Sequence, residues 1–406
     1  MSFLPIVLTL RRHRTAATLI VVEIALTCAI VCNAIFLIRD RLERVDRPSG
    51  VVENELVRVA LAGISKDTRD AAATTQQDLA ALRAIPGVRN AAIGNVMPFG
   101  EMSFNSGISS LPDDPHPPVN AAVYLGGPDL FETFGLQVSQ GRGFTSDEFV
   151  ALADVNNDTA HIPSAILTRG AADRLYPGEN PIGKRAYIWG TEGQIVVGIV
   201  DRLARPSSQG DVTDDYAVAM PIVPAYTENA AYFLRTAPGL RAEVLASVDA
   251  ALNRVDPNRI IVTRDTMSEA RAKYFRQDRS MAWLLVGVSI ALLVITALGI
   301  VGLASFWVQQ RTRQIGVRRA LGATRGDILR YFQTENFILA TVGIVLGMAL
   351  AYAINLWLMQ HYKVQRLPAS FLPIGALLLW LLGQIAVLGP ALRASLIPPA
   401  IATRSV

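Results

Sequence analysis

The sequence predicts an α-helical membrane protein with four transmembrane helices and an α+β extracytoplasmic domain. Four stretches of the 406-residue chain are apolar enough to cross a bilayer, which takes about 20 residues. An arginine-rich segment separates the second stretch from the third, and the long block 39–280 separates the first from the second. Strand-like and helix-like patterns alternate within that block, which predicts a folded domain there.

Charge decides where the spans begin and end. The stretches 281–308, 337–359 and 371–392 contain no charged residue, and the stretch 15–38 contains one, Glu23. All four are long enough for a transmembrane helix. We therefore predict four spans with these bounds.

The distribution of arginine predicts the orientation of the spans, because loops rich in Lys and Arg stay in the cytoplasm. Arginines cluster in the loop 309–336 and just before the first span. Both termini are then cytoplasmic, including the tail 393–406, whereas 39–280 and the short loop 360–370 lie outside the cytoplasm. The segment 1–14 is predicted to be an amphipathic, basic elbow on the inner leaflet. A flexible basic tail is the alternative.

Composition agrees with a chain that is part membrane bundle and part soluble domain, since 51% of the residues are hydrophobic. The net charge of +4 follows from topology and does not indicate a nucleic-acid partner. The only cysteines, Cys28 and Cys32, fall in the first span, so the external domain holds together without a disulfide. We interpret both as buried apolar residues.

The external block contains a faint internal repeat of strand, helix and strand. The first copy covers 55–60, 74–85 and 91–97, and the second covers 231–234, 241–255 and 259–263. Two βαβ-like units thus bracket a middle part, 120–215, which is rich in Gly and Pro. Its position inside the repeat predicts an inserted subdomain.

Four segments of the chain carry a family resemblance. Residues 123–145, 172–184 and 196–200 resemble the periplasmic core domain of MacB-type ABC transporter permeases. The arginine-rich segment 311–328 is similar to the signature loop of the wider MacB/FtsX family. The first membrane helix begins almost directly at the start of the sequence, so we expect a departure from the MacB pattern, namely that the fused N-terminal ATPase is missing.

The resemblance implies a permease of the type VII, or mechanotransmission, class that dimerises as a homodimer or heterodimer in the bacterial inner membrane. Two porter-like halves, 50–119 and 216–275, would flank a Sabre-like insert, 120–215. Such permeases do not pass substrate through the bilayer but relay motion from a cytoplasmic ATPase to the periplasmic domain. This chain is then a non-catalytic subunit without a cofactor, and ATP and magnesium bind to the partner ATPase.

The segment 309–336 is the predicted ATPase-coupling loop. A short helix there would seat Ile315, Ala320 and Leu321 in a groove of the ATPase, while its arginines meet acidic residues or lipid phosphates. The alternative is that the arginines only set topology. The candidate coupling residues are Arg313, Ile315, Gly316, Arg318, Arg319, Ala320, Leu321 and Gly322.

Two polar residues inside the spans are further candidates. Exposing a charge to lipid is costly, so Glu23 should face protein. We expect Glu23 either to be protonated or to form a hydrogen bond to a neighbour such as Gln384 of the fourth span, and we favour a packing role over a proton relay. Gly343 and Gly347, spaced four residues apart, indicate a close helix contact in the third span.

Other chemistry finds little support. The segment 178–184 matches part of a phosphate-binding loop, but Arg185 stands where Ser or Thr would bind magnesium, and Pro181 interrupts the loop. The histidines, His13, His116, His161 and His361, are scattered and do not have metal-ligand spacing. We therefore expect neither a catalytic nor a metal site.

The leading hypothesis is efflux of a peptide, antibiotic or lipopeptide from the periplasm, through an adaptor and a TolC-like outer-membrane duct. One alternative is FtsX-like signalling to a cell-wall hydrolase, although FtsX-type external domains are usually smaller. The other is lipoprotein release of the LolC/E type. The sequence names neither the substrate nor the dimer partner.

Overall fold

The structure is a computed structural model that describes residues 14–63, 71–100, 102–189, 192–207, 212–362 and 366–398. The predicted elbow, except for Arg14, and most of the C-terminal tail lie outside these residues. The chain divides into two compact units. One is Met1–Val45 together with Gln277–Val406, which we call the membrane unit, and the other is Asp46–Arg276, the external unit.

The helices in chain order are α1 (Arg14–Val45), α2 (Ala71–Arg83), α3 (Leu130–Phe134), α4 (Leu152–Asn156), α5 (Arg169–Leu175), α6 (Arg241–Val255), α7 (Met267–Tyr274), α8 (Arg276–Gln310), α9 (Thr312–Ala320), α10 (Arg325–Tyr362) and α11 (Phe371–Ser395). The strands are β1 (Leu56–Gly63), β2 (Val88–Gly94), β3 (Asn105–Ile108), β4 (Val119–Leu125), β5 (Val138–Gly141), β6 (Val150–Ala151), β7 (Ser164–Thr168), β8 (Arg185–Ala186), β9 (Gln194–Val200), β10 (Ala217–Met220), β11 (Ile222–Val223), β12 (Ala231–Thr236) and β13 (Arg259–Thr266).

Four helices of the membrane unit are long and apolar enough to cross a bilayer: α1, α8, α10 and α11. Each contains one of the four predicted spans and extends beyond it at one end or both. The extra turns carry charged residues such as Arg41 and Asp278, which pair with each other at 2.6 Å. The predicted spans were bounded by charge, so each helix continues past its span into charged turns.

Helix α10 packs tightly against α1 because two glycines remove side chains from the contact. A Cβ atom built on Gly347 would lie 2.5 Å from Cβ of Cys28, and one on Gly343 would lie 2.9 Å from Cβ of Ile24. The close helix contact predicted from these glycines is therefore confirmed. Cys28 and Cys32 are fully buried in this contact region.

Helix α8 is attached to the bundle more loosely, and most of its surface is exposed. Polar contacts connect it to α1. Thr27 and Thr296 share a hydrogen bond of 2.8 Å in the bundle interior. Hydroxyl pairs of this kind satisfy polar groups where water is absent.

The smaller sheet of the external unit has the strand order β13-β1-β12-β2, with every neighbouring pair antiparallel. The two predicted strand-helix-strand repeats are both present, but they interleave. Each βαβ unit is split, because a strand of the other unit lies between its own two strands. This is the ferredoxin-like arrangement, and it buries α2 and α6 against one face of the sheet.

A buried polar network fixes α2 and β13 in this layer. Asp78 on α2 forms an ion pair with Arg259, and the hydroxyl of Tyr232 donates to Asp78 at 2.6 Å. All three side chains are almost fully buried. Burial raises the pKa of Tyr232 above its ordinary value, so the phenol stays neutral and remains a donor.

The larger sheet has the order β3-β4-β10-β7-β9-β5, with β8 paired to β9. Strand β3 hydrogen-bonds to β4, and β10 lies between β4 and β7. The inserted subdomain is therefore wider than the predicted 120–215, because β3 precedes that range and β10 follows it. Strand β3 gives no clear signal in the sequence, because its four residues, Asn105–Ile108, are mostly small or polar.

Candidate functional site

The arginine-rich segment connects α8 to α10 and includes the first residues of α10. We call residues 311–330 the arginine turn. Helix α9 occupies its first half. Gly322 then has a φ of +98°, which only glycine adopts readily, and the chain reverses there. Thr324 and Asp327 cap the start of α10, since each side chain accepts the backbone N–H of the other, at 3.2 and 3.0 Å.

A buried ion pair holds the start of the arginine turn to the bundle. Nη1 of Arg311 lies 3.1 and 3.0 Å from the two carboxylate oxygens of Glu335 on α10. The guanidinium also stacks 5.6 Å from the ring centroid of Trp307. Both charged side chains are almost fully buried. A buried charge needs a partner of opposite charge, so this pair holds the start of the arginine turn against α10.

The predicted coupling residues divide into an inward and an outward group. Gly316 is buried, and Arg319 donates to the carbonyl oxygens of Ser395 and Ile397 at 3.0 and 2.8 Å. Arg318 is exposed and stacks 4.8 Å from the ring centroid of Tyr331. The outward group is Arg313, Arg318, Ala320, Leu321 and Gly322.

One of these predictions is wrong. Ile315 was expected to enter a groove of the ATPase, but its side chain is only 4% exposed and packs in the core of the bundle. The helical phase of α9 turns it inward. Leu321 is 83% exposed and Val317 is 44% exposed, so these two apolar side chains are available to a partner. The sequence did not single out Val317, because the spacing of residues along α9 does not show which face of that helix is turned outward.

The two intramembrane polar candidates do not meet each other. The carboxylate of Glu23 lies against Gly299 of α8, where a Cβ atom would come within 2.6 Å of both oxygens. Nε2 of Gln384 is buried and has no hydrogen-bond partner among the described residues. The expected pairing of these two residues is therefore wrong. Glycine at 299 makes room for the carboxylate within the α1–α8 contact.

In the external unit, the chain enters and leaves at a single aromatic cluster, which we call the junction. Nη2 of Arg271 on α7 donates to the backbone oxygen of Arg47 at 2.6 Å, just after the end of α1. Both guanidiniums stack on Phe99, at 4.7 and 5.9 Å from its ring centroid. The ring of Phe275 packs edge-on against Phe99 at 5.1 Å.

Ion pairs surround this cluster. Arg271 pairs with Glu53, and Arg47 pairs with Asp214, which is almost fully buried. Stacked and paired guanidiniums are planar and held in one geometry. The junction therefore brings together Arg47, two residues after the end of α1, and Phe275, the residue before α8. Sequence reasoning missed it because its members are far apart in the chain.

The segment that partly matches a phosphate-binding loop has a different geometry. Lys184 pairs with Glu179 and lies 4.9 Å from the ring centroid of Tyr176. The short strand β8 follows it, whereas a phosphate-binding loop leads into a helix. The lysine is thus engaged by its own loop.

Comparison with known proteins gives two domain matches that cover most of the chain. Residues 24–263 match the MacB-like periplasmic core domain, and residues 286–399 match the FtsX-like permease C-terminal domain. The first match covers more than half of the chain. With four apolar helices, these matches indicate an inner-membrane protein with a periplasmic domain.

The relatives include two export proteins. The pyoverdine export ATP-binding/permease protein PvdT of Pseudomonas aeruginosa is 26% identical over 86% of this chain and 50% of its own length. The macrolide export ATP-binding/permease protein MacB of Chromobacterium violaceum is 25% identical over 58% of this chain and 36% of its own length. The chain thus spans half or less of the length of these relatives.

Two solved structures are also similar. The periplasmic region of MacB from Actinobacillus actinomycetemcomitans covers 57% of this chain, with 97% of its own length, 16% identity and a TM-score of 0.34. The extracellular domain of YknZ from Gram-positive bacteria covers 51%, with 100% of its own length, 14% identity and a TM-score of 0.31. On the domain matches, the chain belongs to the MacB/FtsX family of ABC transporter permeases.

Proposed function

We propose that this chain is the non-catalytic permease subunit of an ABC efflux system, working as a dimer with a separate cytoplasmic ATPase that binds ATP and magnesium. The ATPase docks on the arginine turn, and its motion drives a change in the periplasmic domain. That change expels a peptide, antibiotic or lipopeptide through an adaptor and an outer-membrane duct. The export names of the relatives support this direction.

The observation that carries the proposal is the rigid attachment of the arginine turn. Its inner side is held by the buried pair of Arg311 and Glu335 and by the bonds of Arg319 to the end of α11. Its outer side presents Val317 and Leu321. An exposed leucine beside arginines is suited to an apolar groove of a partner protein that has acidic residues along its rim. A push on this surface would move α8 and α10 together.

A second element of the proposal is the route from the membrane to the domain. Helix α8 begins at Arg276, one residue after Phe275 of the junction, and α1 ends two residues before Arg47. Helix α8 has few packing constraints along most of its surface. We infer that α1 and α8 carry the motion, and that the junction receives it.

The test is affinity purification in mild detergent with mass spectrometry of the recovered proteins. The variant Leu321→Asp places a charge at the exposed apolar position and should lose the ATPase. Leu111→Asp, an equally drastic change at a leucine that is 64% exposed in the external unit, should retain it. Size-exclusion chromatography checks that each variant is folded to the same extent.

The recovered partners decide between the functions. An ATPase together with an adaptor supports export. An ATPase with a cell-wall hydrolase or a lipoprotein chaperone would replace export with signalling or lipoprotein release. If the wild-type chain recovers no ATPase, the transporter proposal is wrong.

A further inference from the structure

A cleft of about 1160 Å³ lies in the external unit where the smaller sheet meets the inserted subdomain. Its walls come from the end of β2, the segment before β3, helix α4 with the loop that follows it, the loop between β8 and β9, and the loop before β12. Binding sites for small organic molecules usually measure about 300–1,000 Å³. The cleft is therefore large enough for a whole small molecule.

One wall of the cleft is apolar and aromatic. Phe104 and Trp189 pack edge to face, with ring centroids 5.5 Å apart. Phe104 is 44% exposed and the neighbouring Met102 is 54% exposed. Leu152 also lines the cleft. Large apolar side chains grouped and open to solvent in this way mark a surface that binds something.

This wall is held in place before any ligand arrives. The backbone oxygen of Phe104 accepts the N–H of Val123 on the larger sheet at 2.7 Å. Gln194 is almost fully buried, and its amide nitrogen donates to the backbone oxygens of Trp189 and Glu192, both at 3.0 Å. Trp189 and Glu192 are thus each tied to Gln194 at the start of β9, which reduces the entropy lost on binding.

The lining contains three acidic residues among its neutral polar ones. Asp158, Glu192 and Glu228 come from three different loops. His161 lies 3.3 Å from the carboxylate of Glu192. Among the described residues that line the cleft, none is Lys or Arg. A concave surface with charges of one sign concentrates ions of the opposite sign.

We propose that this cleft binds an amphipathic organic cation. Its apolar body would lie against Phe104 and Trp189, and its positive charge among the three carboxylates. The aromatic rings add to the preference for a cationic ligand, because the faces of aromatic rings attract cations. An anionic molecule of the same size and shape should be excluded.

The assignment of this ligand as an export substrate rests on the proposed function, whereas the binding itself does not. Binding to the cleft is measured without the ATPase, and recovery of the ATPase does not involve the cleft. The two proposals can therefore fail separately. An ATPase recovered with a chain that does not bind cations would overturn only the cleft proposal.

The experiment uses the full chain in lipid nanodiscs and two fluorescent dyes followed by anisotropy. Rhodamine 6G is the amphipathic cation and carboxyfluorescein is the anion, with empty nanodiscs as the blank. We expect saturable binding of rhodamine 6G and none of carboxyfluorescein. The triple variant Asp158→Asn/Glu192→Gln/Glu228→Gln should bind rhodamine 6G about tenfold more weakly.

A second triple variant is the matched control. Glu132→Gln/Asp173→Asn/Glu243→Gln removes three exposed carboxylates of the external unit outside the cleft lining. It changes the net charge equally and should bind as the wild type does. Phe104→Ala should also weaken binding, because it removes part of the apolar wall.

Three results would overturn the proposal: equal losses in the two triple variants, binding of the anionic dye with similar affinity, or no saturable binding above empty nanodiscs. The thermal unfolding midpoint of each variant is measured in parallel. An affinity loss with an unchanged midpoint supports the cleft as the binding site.

Discussion

Arg311 and Glu335 form an ion pair across the base of the arginine turn, with Nη1 at 3.1 and 3.0 Å from the two carboxylate oxygens. Arg311 follows the last residue of α8, and Glu335 lies three turns into α10. The side chains are 7% and 1% exposed, so neither charge is solvated without the other. The pair therefore ties the residue between α8 and α9 to the interior of α10.

Removing one member of this pair should be much worse than removing both. We expect Glu335→Leu to lower the free energy of unfolding by about 3–5 kcal/mol, because it leaves Arg311 buried and unpaired. The double variant Arg311→Met/Glu335→Leu should recover most of that loss. Denaturant titration in mixed micelles measures both. A double variant as unstable as the single one would show that the pair is not the source of the effect.

The contact between α1 and α10 should not tolerate a single added methyl group at its closest point. Gly347→Ala places a Cβ atom 2.6 Å from the backbone oxygen of Ala25, and we expect a loss of about 1–3 kcal/mol from overpacking. Gly389→Ala on α11 is the control, since nothing lies within 4 Å of its added Cβ. Alanine favours helix, so that variant should be neutral or slightly stabilised in the same unfolding assay.

The junction should open locally when its central guanidinium is removed. Arg271→Ala eliminates the bond to the backbone of Arg47, the ion pair with Glu53 and the stacking on Phe99. We expect backbone amides around 46–55 and 267–275 to exchange with deuterium about tenfold faster, as measured by mass spectrometry. Arg264→Ala, which breaks an exposed pair on β13, should leave exchange at the junction unchanged.

Acid should weaken the inserted subdomain through one carboxylate. Hydrogen bonds from Arg142 at 2.8 and 2.9 Å, with help from the backbone N–H of Thr145, hold the pKa of Glu148 at about 2, below its ordinary 4.5. A lowered pKa in the folded state stabilises the protein fully above pH 4.5, and this contribution is lost as the pH falls towards 2.

The corresponding measurement compares wild type with Glu148→Gln across that range. The difference between their unfolding midpoints should be largest above pH 4.5 and should disappear near pH 2. Glu132→Gln removes an exposed carboxylate and serves as the reference. A difference for Glu148→Gln that is constant with pH would show that the negative charge of Glu148 does not contribute to the stability of the folded protein.

Much of the fold follows from local pattern. Uncharged runs reveal the four long helices, and the spacing of Gly343 and Gly347 correctly indicates a close helix contact. The two strand-helix-strand repeats also appear in the structure. Their interleaving could not be predicted, because the order of strands in a sheet depends on contacts between residues that are far apart in the chain.

The sequence predicts which residues form the candidate site, but it does not predict which of their side chains face the bundle and which face outward. The arginine-rich pattern locates the turn, yet only the phase of α9 shows that Ile315 faces inward and Leu321 outward. Glu23 shows the same limit. The sequence says that this carboxylate needs a protein neighbour, but the neighbour is the backbone at Gly299 and not Gln384. The junction and the cleft assemble from distant segments, so periodicity gives no signal for either.

The bond between Arg271 and the backbone of Arg47 means that the external unit starts and ends at almost the same point. A domain whose two ends are neighbours can be inserted between two helices without forcing them apart. The same membrane bundle can therefore carry different external domains through evolution, provided that each closes its own ends in this way.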